Sequence, residues 1–284
     1  MTLQQRLAAH ALHNTPTPLG TVAWRGAGDA AAPVMALLHG IGSASASWLA
    51  QLDAAAQGEL PPRLIAWDAP GYGTSDALIP QEPNAEDYAQ RLWALLDALQ
   101  ITTVHLAGHS LGAMMAAAAA RMHPGRVHSL TLLSPAQGYG TASAVLREAK
   151  LRDRLHALDT LGPQGMATKR GAAMLSPNAS EEQIAYIQSV MAQIHPAGYT
   201  QAAHMLSGGD IAADLALVRC PITVASGSAD SITPLAGCMA LAERIKAPYL
   251  SLGAVGHACA IEAGRAVTQL LAQVAATPST TGTP

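Results

Sequence analysis

Three residues in this chain have the types, the order and the spacing that nucleophilic catalysis needs: Ser110, then Asp230, then His257. A serine hydroxyl is a weak nucleophile at its own pKa. It needs a base to take its proton and an acid behind that base to orient it. Ser110 lies in Gly108-His109-Ser110-Leu111-Gly112. A β-branched apolar run over 102–106 precedes it, and Met114-Met115 with five alanines, 116–120, follows. Alanine is the best helix former, so the spacing predicts strand, sharp turn, helix. A turn that tight leaves no room for β-carbons two positions to either side of the serine, which accounts for the glycines. It exposes the hydroxyl above a helix N-terminus whose free N–H groups favour a developing negative charge.

The other two residues sit at equivalent places. Asp230 follows an apolar run over 221–226, and His257 follows a second run over 247–252. Both are therefore expected at the carboxyl ends of strands, where open parallel sheets gather their functional side chains. Taken alone, Asp230 would equally suit a helix cap and His257 a surface loop, since the chain has 11 histidines. The order and placement of all three together favour catalysis. An oxyanion needs two backbone N–H donors. Leu111, next to the nucleophile, is one candidate. The other is Ile41, with Gly42 second, in the loop 39–42 after an apolar run over 33–38.

The remaining elements must hold these groups in place. Apolar runs at 33–38, 63–67, 127–133 and 221–226 are short enough for fully buried strands, and helical patterns at 46–56 and 84–99 alternate with them. This is the signature of a doubly wound parallel sheet. A short amphipathic helix is expected over 1–15, a strand over 19–24 and a final helix over 261–275. Residues 136–206 carry several helical patterns and no strand, as a cap over a site would. The expected organisation is thus a core from 1–135, a helical cap at 136–206, the rest of the core at 207–275, and a disordered tail at 276–284.

Composition narrows the class. The chain has 284 residues, enough for one large domain with an insertion. There is no Phe, so core volume is expected from Leu, Ile, Val, Met and Ala. With 16 basic and 19 acidic residues the formal charge is −3, and no basic cluster suggests nucleic acid or an anionic membrane as a partner. Cys220, Cys238 and Cys259 are odd in number and lack metal-ligand spacing, which suits reduced thiols in the cytoplasm. Neither a leader pattern nor a run of about 20 apolar residues is evident.

The motifs His39-Gly40-Ile41-Gly42, Asp68 through Ser75, Gly108 through Gly112, Gly227-Ser228-Ala229-Asp230 and Gly256-His257 resemble those of the α/β-hydrolase superfamily over nearly the whole chain. The small bacterial capped members are most similar: 3-oxoadipate enol-lactonases, carboxylesterases and meta-cleavage-product hydrolases of aromatic catabolism. The resemblance implies an α/β-hydrolase fold, a mostly parallel eight-stranded sheet flanked by helices with a helical cap. It also implies a Ser-His-Asp triad and hydrolysis without cofactor or metal. Ser110 is neither Asp, as in haloalkane dehalogenases, nor Cys, as in dienelactone hydrolases. The C–C hydrolases carry Asn and Trp where this chain has His109 and Ala258, which favours ester or lactone cleavage and keeps C–C cleavage of a vinylogous diketone as the alternative. A ligand-binding protein with a retained triad stays open as another class. The expected partner is a small ester, lactone or diketone, and a homodimer is left open. His39, His109, Met174 and Met205 are candidate substrate contacts, with Met166, Met191, Leu161 and Ile194 as further pocket candidates. Arg147, Lys150, Arg152 and Arg154 form a basic stretch that could meet a carboxylate or simply face solvent.

Overall fold

The computed structural model describes residues 1–277. Its eight strands are β1 (Leu12–Thr15), β2 (Val22–Ala27), β3 (Val34–Leu38), β4 (Arg63–Trp67), β5 (Val104–His109), β6 (Val127–Leu133), β7 (Ile222–Ser226) and β8 (Tyr249–Ser251). They form one sheet in the order β1-β2-β4-β3-β5-β6-β7-β8. Pairing is parallel from β4 through β8, and β1 and β2 are antiparallel. The order reverses between β3 and β5, so their carboxyl ends flank a crevice, the position where such sheets place ligands.

The helices are α1 (Leu3–Leu7), α2 (Leu49–Ala56), α3 (Ala85–Ala98), α4 (Leu111–Met122), α5 (Ala144–Arg170), α6 (Glu181–Met191), α7 (Pro196–Gly208), α8 (Ile211–Leu215), α9 (Leu235–Arg244), α10 (Cys259–Glu262) and α11 (Gly264–Ala276). The alanine run makes α4 the buried helix of the molecule: all of its residues from Leu111 to Ala120 are buried. Small side chains let α3 pack against it closely, and the Trp93 indole of α3 donates to the Ala119 carbonyl at 3.1 Å. Helices α5 to α8 intervene between β6 and β7. They dock on the core through named contacts. Tyr186 Oη donates to the Ala46 carbonyl at 2.8 Å, and Gln201 Nε2 donates to the Leu78 and Pro80 carbonyls at 2.7 Å each. A β-carbon on Gly71 would stand 2.5 Å from the Gly198 Cα, so α7 meets the 68–75 loop backbone to backbone.

Five expectations need correction. The large core volumes come also from Trp48, Trp67, Tyr72, Tyr88 and Tyr199, all essentially inaccessible. These rings take the place of the absent Phe. Residues 1–15 are not one helix. After the short α1 the chain becomes the edge strand β1, held where Trp24 Nε1 donates to Thr15 Oγ1 at 2.9 Å and His13 stacks on Trp24. The second strand starts at Val22, because Thr17 Oγ1 donates to the Gly20 carbonyl at 2.6 Å and closes a turn there. The last helix is broken at Ala263 into α10 and α11, and α11 runs to Ala276. Of the tail expected at 276–284, Ala276 is helical, and 278–284 lie outside the described residues.

Candidate active site

Ser110 stands between β5 and α4 with φ 54° and ψ −117°, a left-handed backbone that a side chain rarely adopts. The flanking glycines permit it. A β-carbon on Gly112 would lie 2.2 Å from the Leu38 carbonyl oxygen, and one on Gly108 would lie 2.4 Å from the Gly112 oxygen. The serine N–H is anchored to the Leu133 carbonyl at 2.9 Å, and its side chain lines a cavity of about 550 Å3.

Asp230 and His257 come from the loops after β7 and β8. His257 Nδ1 donates to Asp230 Oδ2 at 2.9 Å. Both side chains are shielded from solvent. This bond fixes the tautomer: Nδ1 carries the proton and Nε2 keeps its lone pair. Asp230 is saturated with donors. Oδ1 accepts from the Ile232 and Thr233 N–H groups at 2.8 and 2.9 Å, and Oδ2 accepts from the Thr233 hydroxyl at 2.7 Å as well as from His257. Burial alone would push its carboxyl up. The hydrogen bonds and charge of His257, with those from Thr233, outweigh burial and hold it well below the usual carboxylate range. Ser110 and His257 line the same cavity. No hydrogen bond joins them among the described residues, and such bonds often tighten only when substrate is bound.

The loop after β3 faces Ser110. The Gly40 carbonyl accepts from the Ser43 N–H at 3.2 Å and from His39 Nδ1 at 2.8 Å, while Tyr72 Oη donates to the Ile41 carbonyl at 2.7 Å. A trans peptide points its N–H opposite its carbonyl. Fixing these two carbonyls therefore fixes the Ile41 and Gly42 N–H directions. Among the described residues the Ile41 and Leu111 N–H groups have no hydrogen-bond partner, and both residues line the cavity with Gly42.

His109 lines the cavity and buries its ring against that of His257, with centroids 4.8 Å apart. Its Nε2 donates to the His257 carbonyl at 2.7 Å. Burial, then the neighbouring His257, pushes its pKa down to about 3, so it stays neutral. His39 and Met205, expected among the substrate contacts, do not line the cavity. His39 Nε2 accepts the Ala69 N–H at 3.0 Å, which turns the ring toward the 68–75 loop. Burial lowers its pKa despite the opposing charge of Asp68. Met205 is packed in the core at 1% exposure because its face of α7 looks inward. Leu161 and Ile194 likewise fall outside the lining, whereas Met166, Met174 and Met191 belong to it.

The sequence reading misses three kinds of residue. Thr233 ties Asp230, His257 and the Ser134 carbonyl together, with distances of 2.7, 3.1 and 3.1 Å. Its place three residues after Asp230 is the only sequence signal for it. Glu262 accepts from the Gly256 N–H at 2.9 Å, beside His257, and carries no motif of its own. Lys169 and Arg170 line the cavity with Arg154, although only Arg154 falls in the basic stretch noted above. Cys238 also lines the cavity, but its thiol donates to the Thr233 carbonyl at 3.4 Å and burial raises its pKa, which leaves it protonated. No group of three or more His, Cys, Asp or Glu side chains among the described residues could hold a metal ion. No described helix is long and apolar enough to cross a membrane.

Sheet order, elbow and strand-end residues together define an α/β-hydrolase. The family model for the alpha/beta hydrolase fold matches residues 33–263, and the chain belongs to this family. Among curated proteins, the "Putative carbamate hydrolase RutD" of Variovorax paradoxus (strain S110) is 29% identical over 266 residues, 90% of this chain and 97% of that one. The dihydrolipoyllysine-residue acetyltransferase component of the acetoin cleaving system of Pseudomonas putida is 37% identical over 115 residues, 40% of this chain. That match spans only 30% of the acetyltransferase component. The crystal structure of the enol-lactonase from Burkholderia xenovorans LB400 superposes with a TM-score of 0.79 at 22% identity, covering 92% of this chain and 99% of that one.

Proposed function

We propose that this protein is a serine hydrolase that cleaves a small carboxylic ester or lactone through an acyl-enzyme on Ser110. One observation carries the reading: among the described residues His257 has Nδ1 committed to Asp230 and Nε2 without a partner, in the cavity that also holds Ser110 beside two N–H groups that have none. His257 Nε2 takes the Ser110 proton as Oγ attacks the carbonyl carbon. The electron pair moves to the carbonyl oxygen, which the Leu111 and Ile41 N–H groups stabilise, with Gly42 next in line. Collapse breaks the bond to the leaving oxygen, which receives the proton from the imidazolium. Water then attacks the acyl-enzyme. His257 takes its proton and returns it to Ser110 as the acid departs. Helices α5 to α7 act as the cap, closing the apolar side of the cavity with Met166, Met174 and Met191.

The test is turnover of p-nitrophenyl esters from acetate to octanoate by the wild type and Ser110→Ala. A p-nitrophenyl carbamate belongs in the series, because the Variovorax relative is named for carbamates. The wild type should turn over at least one ester, with a chain-length optimum set by the cavity, and the variant should lose that turnover. Folded wild-type protein inactive on the whole series would reject the simple ester reading and turn the test to lactones that carry a carboxylate.

A further inference from the structure

The wall of the cavity is electrically one-sided. Arg154, Lys169 and Arg170 line it, and among the described residues no Asp or Glu does. The chain has more acidic than basic residues, so this imbalance is local. It is produced by one feature of α5. At Gly162, φ 60° and ψ 177° interrupt the helix, and Pro163 follows. The break lets Arg154, on the first half, and Lys169 and Arg170, at the end of the second, reach one cavity.

None of the three has an ion pair or hydrogen bond to another side chain among the described residues. Several cations packed elsewhere are satisfied. Arg121 meets Glu86 and Asp214, Arg126 meets Asp97, Arg6 meets Asp53, and Arg91 donates to the Asp76 carbonyl. Arg154 and Arg170 are half-buried and Lys169 is exposed, so the cluster stands at the cavity margin, with Met166 fully buried beside it. Arg154 also lies within Coulombic reach of Tyr72, the residue that fixes the Ile41 peptide facing Ser110. Three cations at the margin of the cavity lack a counter-charge among the described residues. A guanidinium fork matches a carboxylate, and such a pair is stronger away from bulk water.

We propose that the substrate carries a free carboxylate besides its scissile acyl group, and that Arg154, Lys169 and Arg170 hold it. The proposal deepens the ester or lactone hydrolase reading and rests on it. It names the substrate class as a half-ester of a dicarboxylic acid or a lactone bearing an acid group.

The test compares mono-4-nitrophenyl adipate with its methyl-capped diester, which differ by one charge at equal chain length. The wild type should prefer the free acid by about tenfold or more in kcat/KM, mainly through KM, as one charge-assisted contact would give. The R154Q/K169Q/R170Q variant, checked for folding by circular dichroism, should bring the ratio near one. R152Q, on the exposed side of the same helix, should keep it. A wild type that favours the capped ester, or a triple variant that retains the preference, would overturn the proposal while leaving the hydrolase reading intact. If neither ester reacts, calorimetry with adipate decides. Binding by the wild type that is lost in the triple variant keeps the carboxylate site and rejects the ester reading. Absence of binding overturns the site.

Discussion

Glu262 binds Ser176 twice, accepting its N–H at 2.9 Å and its hydroxyl, and through the same carboxylate accepts the Gly256 N–H at 2.9 Å. Ser176 lies between α5 and α6 in the helical insertion, and Gly256 precedes His257. A second tie runs alongside, from the Ala258 N–H to the Met174 carbonyl at 2.7 Å. The insertion and the histidine loop are therefore fastened together, with His257 and Met174 on either side of the seam.

Glu262→Ala should loosen both segments at once. Amide exchange should rise together at 174–176 and 256–258, and kcat on an active ester should fall about tenfold as His257 loses its fixed position. Hydrogen bonds to a charged group contribute about 1.5–3 kcal/mol each at most, so a stability loss near 2 kcal/mol is expected for this half-buried residue. Faster exchange confined to one segment would show that Glu262 does not couple them.

Thr233 supports the same histidine from the acid side. Its hydroxyl is 2.7 Å from Asp230 Oδ2 and 3.1 Å from His257 Nδ1. Thr233→Val keeps the shape and removes the hydroxyl, so kcat should drop about tenfold with KM within a factor of two, the pattern of a lost transition-state interaction. Thr233→Ser should restore most of the rate. Equal activity in the valine and serine variants would mean the hydroxyl only packs.

Stability should depend on pH through a buried histidine. Burial holds His109 at about 3 against an ordinary 6.5, so the unfolded chain takes up a proton that the folded chain refuses. Stability is thus full above pH 6.5 and falls as the pH drops toward 3. The slope is about 1.4 kcal/mol per pH unit for one such residue. His105, held at about 4 by burial and then by His128, adds to the same slope. Urea unfolding of the wild type between pH 6.5 and 4.5 should show this decline. His109→Gln should reduce the slope by about one histidine's share. An unchanged slope would mean that His109 gains its proton in the folded state.

The sequence made the sheet and the three strand-end residues legible because each leaves a local mark. Buried strands read as apolar runs, the elbow reads as Gly108 and Gly112 around Ser110, and Asp230 and His257 each close such a run. What stayed hidden depends on contacts between distant segments. His39 sits in the right motif, yet its tautomer is set by Ala69, and this turns it from the cavity to the scaffold. Met205 has the same composition signal as Met174, and only the rotation of α7 separates core from lining. Lys169 and Arg170 reach the cavity because α5 breaks at Gly162, and the Gly-Pro pair does not by itself say which way the second half turns. The edge strand β1 is weakly patterned and exists because β2 offers it a partner.

The elbow itself stores strain, and the serine side chain is what keeps it there. At φ 54° and ψ −117°, Ser110 occupies a region where a non-glycine residue costs about 1–3 kcal/mol. Ser110→Gly removes the clashing β-carbon but raises the entropy of the unfolded chain, a loss of about 0.5–1 kcal/mol. The difference favours the glycine variant by about 1 kcal/mol, which for a chain of this size is a rise of roughly 2–4 °C in Tm. Ser110→Ala keeps the β-carbon and hence the strain, so it should lose hydrolysis with little change in Tm. Both variants lack the hydroxyl proposed as the nucleophile, which separates the stability comparison from activity. Calorimetric unfolding of the three proteins side by side is the measurement. An alanine variant as stable as the glycine variant would mean that the flanking contacts of Gly108 and Gly112, rather than the backbone at 110, carry the tension in the turn.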